Sequence, residues 1–141
     1  MRLRGHPLSR WRIVLEAVFT LLWVKLTLKL FSFSRYKKEL APQPQFSADA
    51  IDRQTAAELV WAVDRLSARA PNALNCLPRA LAVQRLLRRR GAEGRMRFGI
   101  RKTETGQITA HAWLTLHEEV IVGRVPHLDA YQELPQWPGA G

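Results

Sequence analysis

A chain of 141 residues with 47% hydrophobic side chains has room for one compact domain and can bury a core of its own. Its single cysteine excludes an internal disulfide framework and a multi-cysteine zinc site, so the fold must rest on packing while the thiol is left available for chemistry, as suits a reducing cytoplasm. The 22 Lys and Arg against 12 Asp and Glu give a formal charge of +10, which admits nucleic acid, anionic lipid or an acidic peptide as partner without choosing among them.

The chain opens with a basic stretch, Met1 to Arg10, followed by a strongly apolar one, and so imitates a signal peptide. Glu16, Lys25 and Lys29 interrupt the apolar run and no small-x-small cleavage site follows. A spanning helix wants about 20 predominantly apolar residues, so the segment is a poor candidate for crossing a membrane. On a helical wheel Arg12, Glu16, Thr20 and Thr27 share one side and Lys25 and Lys29 fall nearly opposite, which leaves apolar surface between two polar stripes. The pattern predicts a helix within residues 1–40 that docks on the domain or on a partner, with shallow peripheral membrane contact as the second reading. Ala41-Pro42-Gln43-Pro44-Gln45 cannot be helical throughout, because each proline disfavours helix in the residue before it; residues 41–46 read as a linker and 47–141 as the main domain.

Ser47-Ala48-Asp49-Ala50 opens a second helical segment whose apolar face is Ile51, Ala56, Leu59, Val60, Val63 and Leu66, stopping at Pro71-Asn72. A third helix is predicted from Cys76 to Arg90, with Leu77, Ala80, Leu81, Val83, Leu86 and Leu87 inward and Arg79, Arg85 and Arg88 to Arg90 mostly outward. Gly91 is its natural C-cap, and the arginines sit where the helix dipole favours cations. The period then changes to alternation. Met96, Phe98 and Ile100 oppose Arg95, Arg97, Gly99 and Arg101 on a first strand; Thr105-Gly106 turns the chain into a second, Gln107 to Leu116; His117-Glu118-Glu119 turns it into a third, Val120 to Arg124. Helices followed by a meander predict an α+β domain with the helices on one face of a small antiparallel sheet.

Cys76 stands just ahead of Pro78, a residue tolerated in a helix's first turn, and so at the N-terminus of the third helix. Backbone N–H groups there stabilise a thiolate and offer donors to an oxyanion. A lone cysteine is more often a small buried hydrophobe, and a lone strand histidine more often structural. The two together carry more: His111, on the strand face shared with Trp113 and Thr115, is the residue type that makes a cysteine thiolate by taking its proton.

Asn75-Cys76-Leu77, Ala80-Leu81, Leu86-Leu87-Arg88-Arg89-Arg90-Gly91, Phe98-Gly99-Ile100-Arg101-Lys102 and Ala110-His111-Ala112-Trp113 in combination resemble the leader peptidases of lasso-peptide biosynthesis. These are the transglutaminase-like B proteins related to the microcin-processing enzyme. The resemblance covers roughly Pro71 to Val122, and the apolar-basic helix ahead of a short linker is similar to the split, stand-alone form of the family. It implies a papain/transglutaminase-like core and a Cys-His-Asp site, with Cys76 and His111 as the first two members, hydrolysing one peptide bond at the leader–core junction of a ribosomally made precursor (RiPP). It also implies three partners: the precursor peptide, a leader-binding RiPP recognition element protein, and an ATP-dependent lasso cyclase that acts on the product.

The family places the third, acidic member on the strand after the histidine. The residues expected to pair there, Gly123 to Pro126, include no carboxylate, and Asp129 is the nearest downstream. Asp129 is the expected orienting group if the strand bulges or the next loop folds back; otherwise a backbone carbonyl or an amide takes the role. Glu118, Glu119, His117 and His127 read as surface residues. The four histidines (His6, His111, His117, His127) have no metal-ligand spacing and no phosphate-binding glycine loop is present, so neither metal nor cofactor is expected. Two other readings compete: acyl transfer to an amine, which shares the thioester, and a non-catalytic module whose basic surface grips an acidic partner. The absence of an aromatic-basic motif speaks against nucleic acid.

Overall fold

The computed structural model describes residues 7–30, 41–69 and 76–134. The basic start as far as His6, the last ten residues of the 1–40 segment, the helix stop at Pro71-Asn72 and Asn75 lie outside the described residues. Three helices come first, α1 (Pro7–Leu30), α2 (Arg53–Ser67) and α3 (Cys76–Arg88). They are followed by β1 (Arg95–Lys102), β2 (Ile108–Leu116), β3 (Glu119–Val122) and β4 (Gln132–Glu133), an antiparallel sheet in the order β3-β2-β1-β4. This is the predicted α+β order, with a fourth strand added.

α3 is the centre of the molecule, because α1, α2 and the sheet all pack on it. Ala80, Leu81, Ala82, Val83, Leu86 and Leu87 are buried, a wider apolar surface than one amphipathic face provides. Leu59, Ala62 and Val63 of α2 and Leu114, Leu116 and Val122 of the sheet close the same core. Gln84 is buried too, and its side-chain amide both accepts from Gly94 N–H at 2.8 Å and donates to Gly94 C=O at 2.7 Å. A buried amide is tolerated where both of its polar ends are met, and here it fixes the start of β1 against α3. The helix ends as Gly91 predicts. Gly91 takes φ +75°, its N–H reaches Arg88 C=O at 3.0 Å, and Ala92 N–H reaches Leu87 C=O at 3.0 Å, the paired bonds of a Schellman cap.

α1 belongs to this core. Ala17, Leu21 and Val24 are buried, and Glu16 turns inward to Arg90, with Oε2 at 2.8 Å from the guanidinium. That bond holds the Glu16 carboxyl below its ordinary range, against the opposing effect of partial burial. Residues 41–46 are pinned rather than loose: Gln43 N–H donates to Glu93, Ser47 N–H donates to Gly91 C=O, and Arg88 lies over the Phe46 ring.

Several boundaries move. Ser47 caps only a single 3-10 turn, Ala48–Ala50, and the second helix starts later, capped by Asp52, which accepts from Thr55 N–H at 2.6 Å. The β2–β3 turn is the two residues His117 and Glu118, both at positive φ, so Glu119 is already paired with Leu116 in β3. Such a turn normally advertises itself with Asn or Gly, and this one does not. β3 ends at Val122 rather than Arg124, since Gly123 follows at φ +90°, outside the extended range; within the strand the register shifts by one residue opposite Leu114 and Thr115.

Candidate active site

Cys76 is the first residue of α3 and is partly buried. This is the place the sequence assigned it, at the end of the helix where backbone N–H groups have no intrahelical acceptor. His111 lies midway along β2, opposite Gly99 of β1. Gly99 carries no side chain into the space beside it: a Cβ there would lie 2.9 Å from the Trp113 ring and 3.0 Å from Tyr131 Cβ. The imidazole sits in the aromatic setting that this gap permits, stacked with Trp113 at 6.0 Å between centroids and tilted against Tyr131 at 5.5 Å. Arg101 covers Tyr131 in turn, 5.5 Å from its centroid.

Among the described residues the ring is held by one hydrogen bond, from Nε2 to the backbone carbonyl of Gly123 at 2.6 Å. A carbonyl oxygen only accepts, so Nε2 carries the proton and, in the neutral ring, Nδ1 is the basic nitrogen. Local structure explains how the carbonyl gets there. The register shift in β3 makes room for an extra residue before Val122, and Gly123 follows at φ +90° with its backbone against β2. A Cβ at Gly123 would lie 2.7 Å from Ala112 O and 2.9 Å from Trp113 Cβ, so only glycine permits the approach.

Asp129, the expected orienting carboxylate, stands exposed in the 3-10 turn Leu128–Ala130. Among the described residues no hydrogen bond joins it to His111, whose Nε2 is engaged by Gly123. Nor, among the described residues, does a hydrogen bond join Cys76 to His111. His117, His127, Glu118 and Glu119 are exposed. Gly123 lies in the window expected beside His111, and its backbone carbonyl fills the alternative orienting role, although the sequence did not single it out within that window. Tyr131 was not foreseen, since it reaches the ring from a loop beyond β3.

No curated protein and no solved structure matches the chain. The family profile described as transglutaminase-like superfamily does, over residues 18–136, from within α1 to beyond β4. With helices leading into a small antiparallel sheet, a cysteine opening the central helix and a histidine on the strand behind it, the chain belongs to the transglutaminase-like superfamily, which includes cysteine peptidases and acyltransferases.

Proposed function

We propose that the protein is a cysteine peptidase that removes the leader from a lasso-peptide precursor, with Cys76 as nucleophile and His111 as its base. The observation that carries the chemistry is the bond from His111 Nε2 to Gly123 C=O, which leaves Nδ1 as the basic nitrogen for the thiol. The substrate class rests on the likeness of the motifs around Cys76, Phe98 and His111 to the lasso leader peptidases.

In this mechanism Nδ1 takes the Cys76 proton as the sulfur attacks the scissile carbonyl, a contact that closes in the substrate complex. N–H groups at the start of α3 stabilise the tetrahedral oxyanion. Collapse of the intermediate breaks the C–N bond, and the imidazolium gives its proton to the leaving amine. Water, deprotonated by the same nitrogen, then hydrolyses the thioester and restores the thiol. The Gly123 carbonyl holds the ring throughout, the role a carboxylate plays in a triad. Asp129 would take that role only if the loop carrying it displaced the carbonyl from Nε2.

A cytoplasmic setting, a leader-binding protein that presents the precursor, and a separate cyclase that consumes the freed amine complete the reading. The same thioester attacked by an amine would make the protein an acyltransferase, a reading the superfamily match favours equally. Intact-mass analysis of a precursor incubated with the protein and a leader-binding partner decides. Cleavage at one bond with uptake of water by wild type, and none by Cys76→Ala, is expected. A product carrying an added amine identifies acyl transfer, and equal cleavage by Cys76→Ala removes the thiol mechanism.

A further inference from the structure

α1 is apolar on two sides. Ala17, Leu21 and Val24 occupy the inner side. The outer side presents Trp11, Leu15, Phe19, Leu22 and Leu26, each 50% exposed or more. At 1.5 Å per residue this stripe runs for about 22 Å along the helix, larger than the scattered apolar groups a soluble surface ordinarily shows.

Among the described residues of α1 the exposed charges have one sign. Arg12, Lys25 and Lys29 are exposed on α1, whereas Glu16, the helix's only carboxylate, is turned to Arg90 and Arg89. Cations also lie against the neighbouring indoles. Arg85 sits 5.5 Å from the Trp23 ring, and Arg10 and Arg65 sit 5.7 and 5.5 Å from that of Trp61, itself 42% exposed. Beside the stripe a cleft of about 610 Å³, lined in part by Phe19, Trp23, Arg85 and Arg89, continues the same chemistry.

We infer that this face seats α1 in the plane of an anionic lipid surface, its leucines and Phe19 in the acyl boundary and its tryptophans and cations at the headgroups. A protein partner would have to match this face with an apolar centre ringed by carboxylates at fixed positions. The exposed charges of α1 among the described residues are all positive, and anionic headgroups supply diffuse negative charge together with the hydrocarbon the stripe requires. Tryptophan and the long cationic side chains are the residue types that settle at that depth. The helix lies flat because its inner side is committed to the core, and no helix among the described residues is long and apolar enough to cross a membrane. The inference does not depend on the peptidase reading.

Co-sedimentation of the full chain with vesicles tests it, using phosphatidylcholine alone and phosphatidylcholine with about one-third phosphatidylglycerol. Wild type should partition onto the anionic vesicles at least about tenfold more strongly, and high salt should weaken that binding. Leu22→Glu/Leu26→Glu changes exposed positions, keeps the thermal melt, and should lower partition onto the anionic vesicles about tenfold or more. Lys25→Gln/Lys29→Gln leaves the stripe intact and should lose about tenfold on the anionic vesicles only. Wild type left in the supernatant with anionic vesicles, or either variant binding as wild type does, overturns the inference. So does a wild-type dimer that Leu22→Glu/Leu26→Glu dissociates without any vesicle uptake by wild type, since a second copy then covers the face.

Discussion

Replacing Gly123 by alanine tests whether the carbonyl of that residue orients His111. The new Cβ would stand 2.7 Å from Ala112 O and 2.9 Å from Trp113 Cβ, on a residue at φ +90°. Backbone strain of this kind costs about 1–3 kcal/mol, and the segment relieves it by moving away from β2. Movement lengthens the 2.6 Å bond to Nε2, the ring's only hydrogen bond among the described residues. The bond itself is worth about 1 kcal/mol, whereas a catalytic group displaced by about 1 Å costs about a hundredfold in rate. We therefore expect Gly123→Ala to lower kcat/KM about a hundredfold on a cognate precursor. Its Tm should fall by about 5 °C, at 2–4 °C per kcal/mol for a chain of this size. Gly106→Ala is the control: it carries a similar φ, +86°, but its Cβ would meet only Lys102 Cε at 4.0 Å, on the exposed turn between β1 and β2. It should lose stability through the backbone alone and keep its activity. If folded Gly123→Ala cleaves within about twofold of Gly106→Ala, the carbonyl is not what positions the histidine.

Asp129→Ala should change kcat/KM by less than about threefold; a loss of about a thousandfold, the scale on which a true triad carboxylate acts, would move the orienting role to Asp129. Gln84→Ala strands both polar groups of Gly94 in a buried site and should destabilise the fold by about 3 kcal/mol in chemical denaturation, while a change below about 1 kcal/mol would show that water replaces the amide. For Glu16→Gln the effect depends on pH. Because the folded-state carboxyl is held below its ordinary value by Arg90, the ion pair stabilises at neutral pH, and its contribution is lost as pH falls through the ordinary carboxylate range to the lower folded value. With both side chains partly exposed the gap at neutral pH should be about 1 kcal/mol, and the melting curves of wild type and variant should converge on acidification; a gap that persists in acid would contradict the assignment.

The local features of the sequence were sufficient for those parts of the fold that neighbouring residues decide. The apolar spacing of Ala80, Leu81, Val83, Leu86 and Leu87, with Gly91 after it, defines a helix and its end, and the alternation from Met96 to Arg101 defines a strand. Cys76 at the head of a helix and His111 on a strand are of the same kind, because a proline in the first turn and a two-residue period fix those positions within a few residues. The short strand β4 left no such trace: it is two polar residues, and its place beside β1 comes from pairing across the sheet and from the Arg97–Glu133 ion pair at 2.8 Å.

The setting of His111 was settled by distance rather than by sequence neighbourhood. One extra residue in β3 brings the Gly123 carbonyl to Nε2, and Tyr131 returns from beyond the sheet to cover the ring. No periodicity encodes either event, since a register shift of one residue costs little locally and is decided by the whole sheet. The same holds for α1. Its composition shows a helix apolar on more than one side, but only the docking of Ala17, Leu21 and Val24 against α2 and α3 separates the core side from the side that remains exposed. Burial is a property of the neighbours a residue acquires, and for α1 those neighbours lie far along the chain.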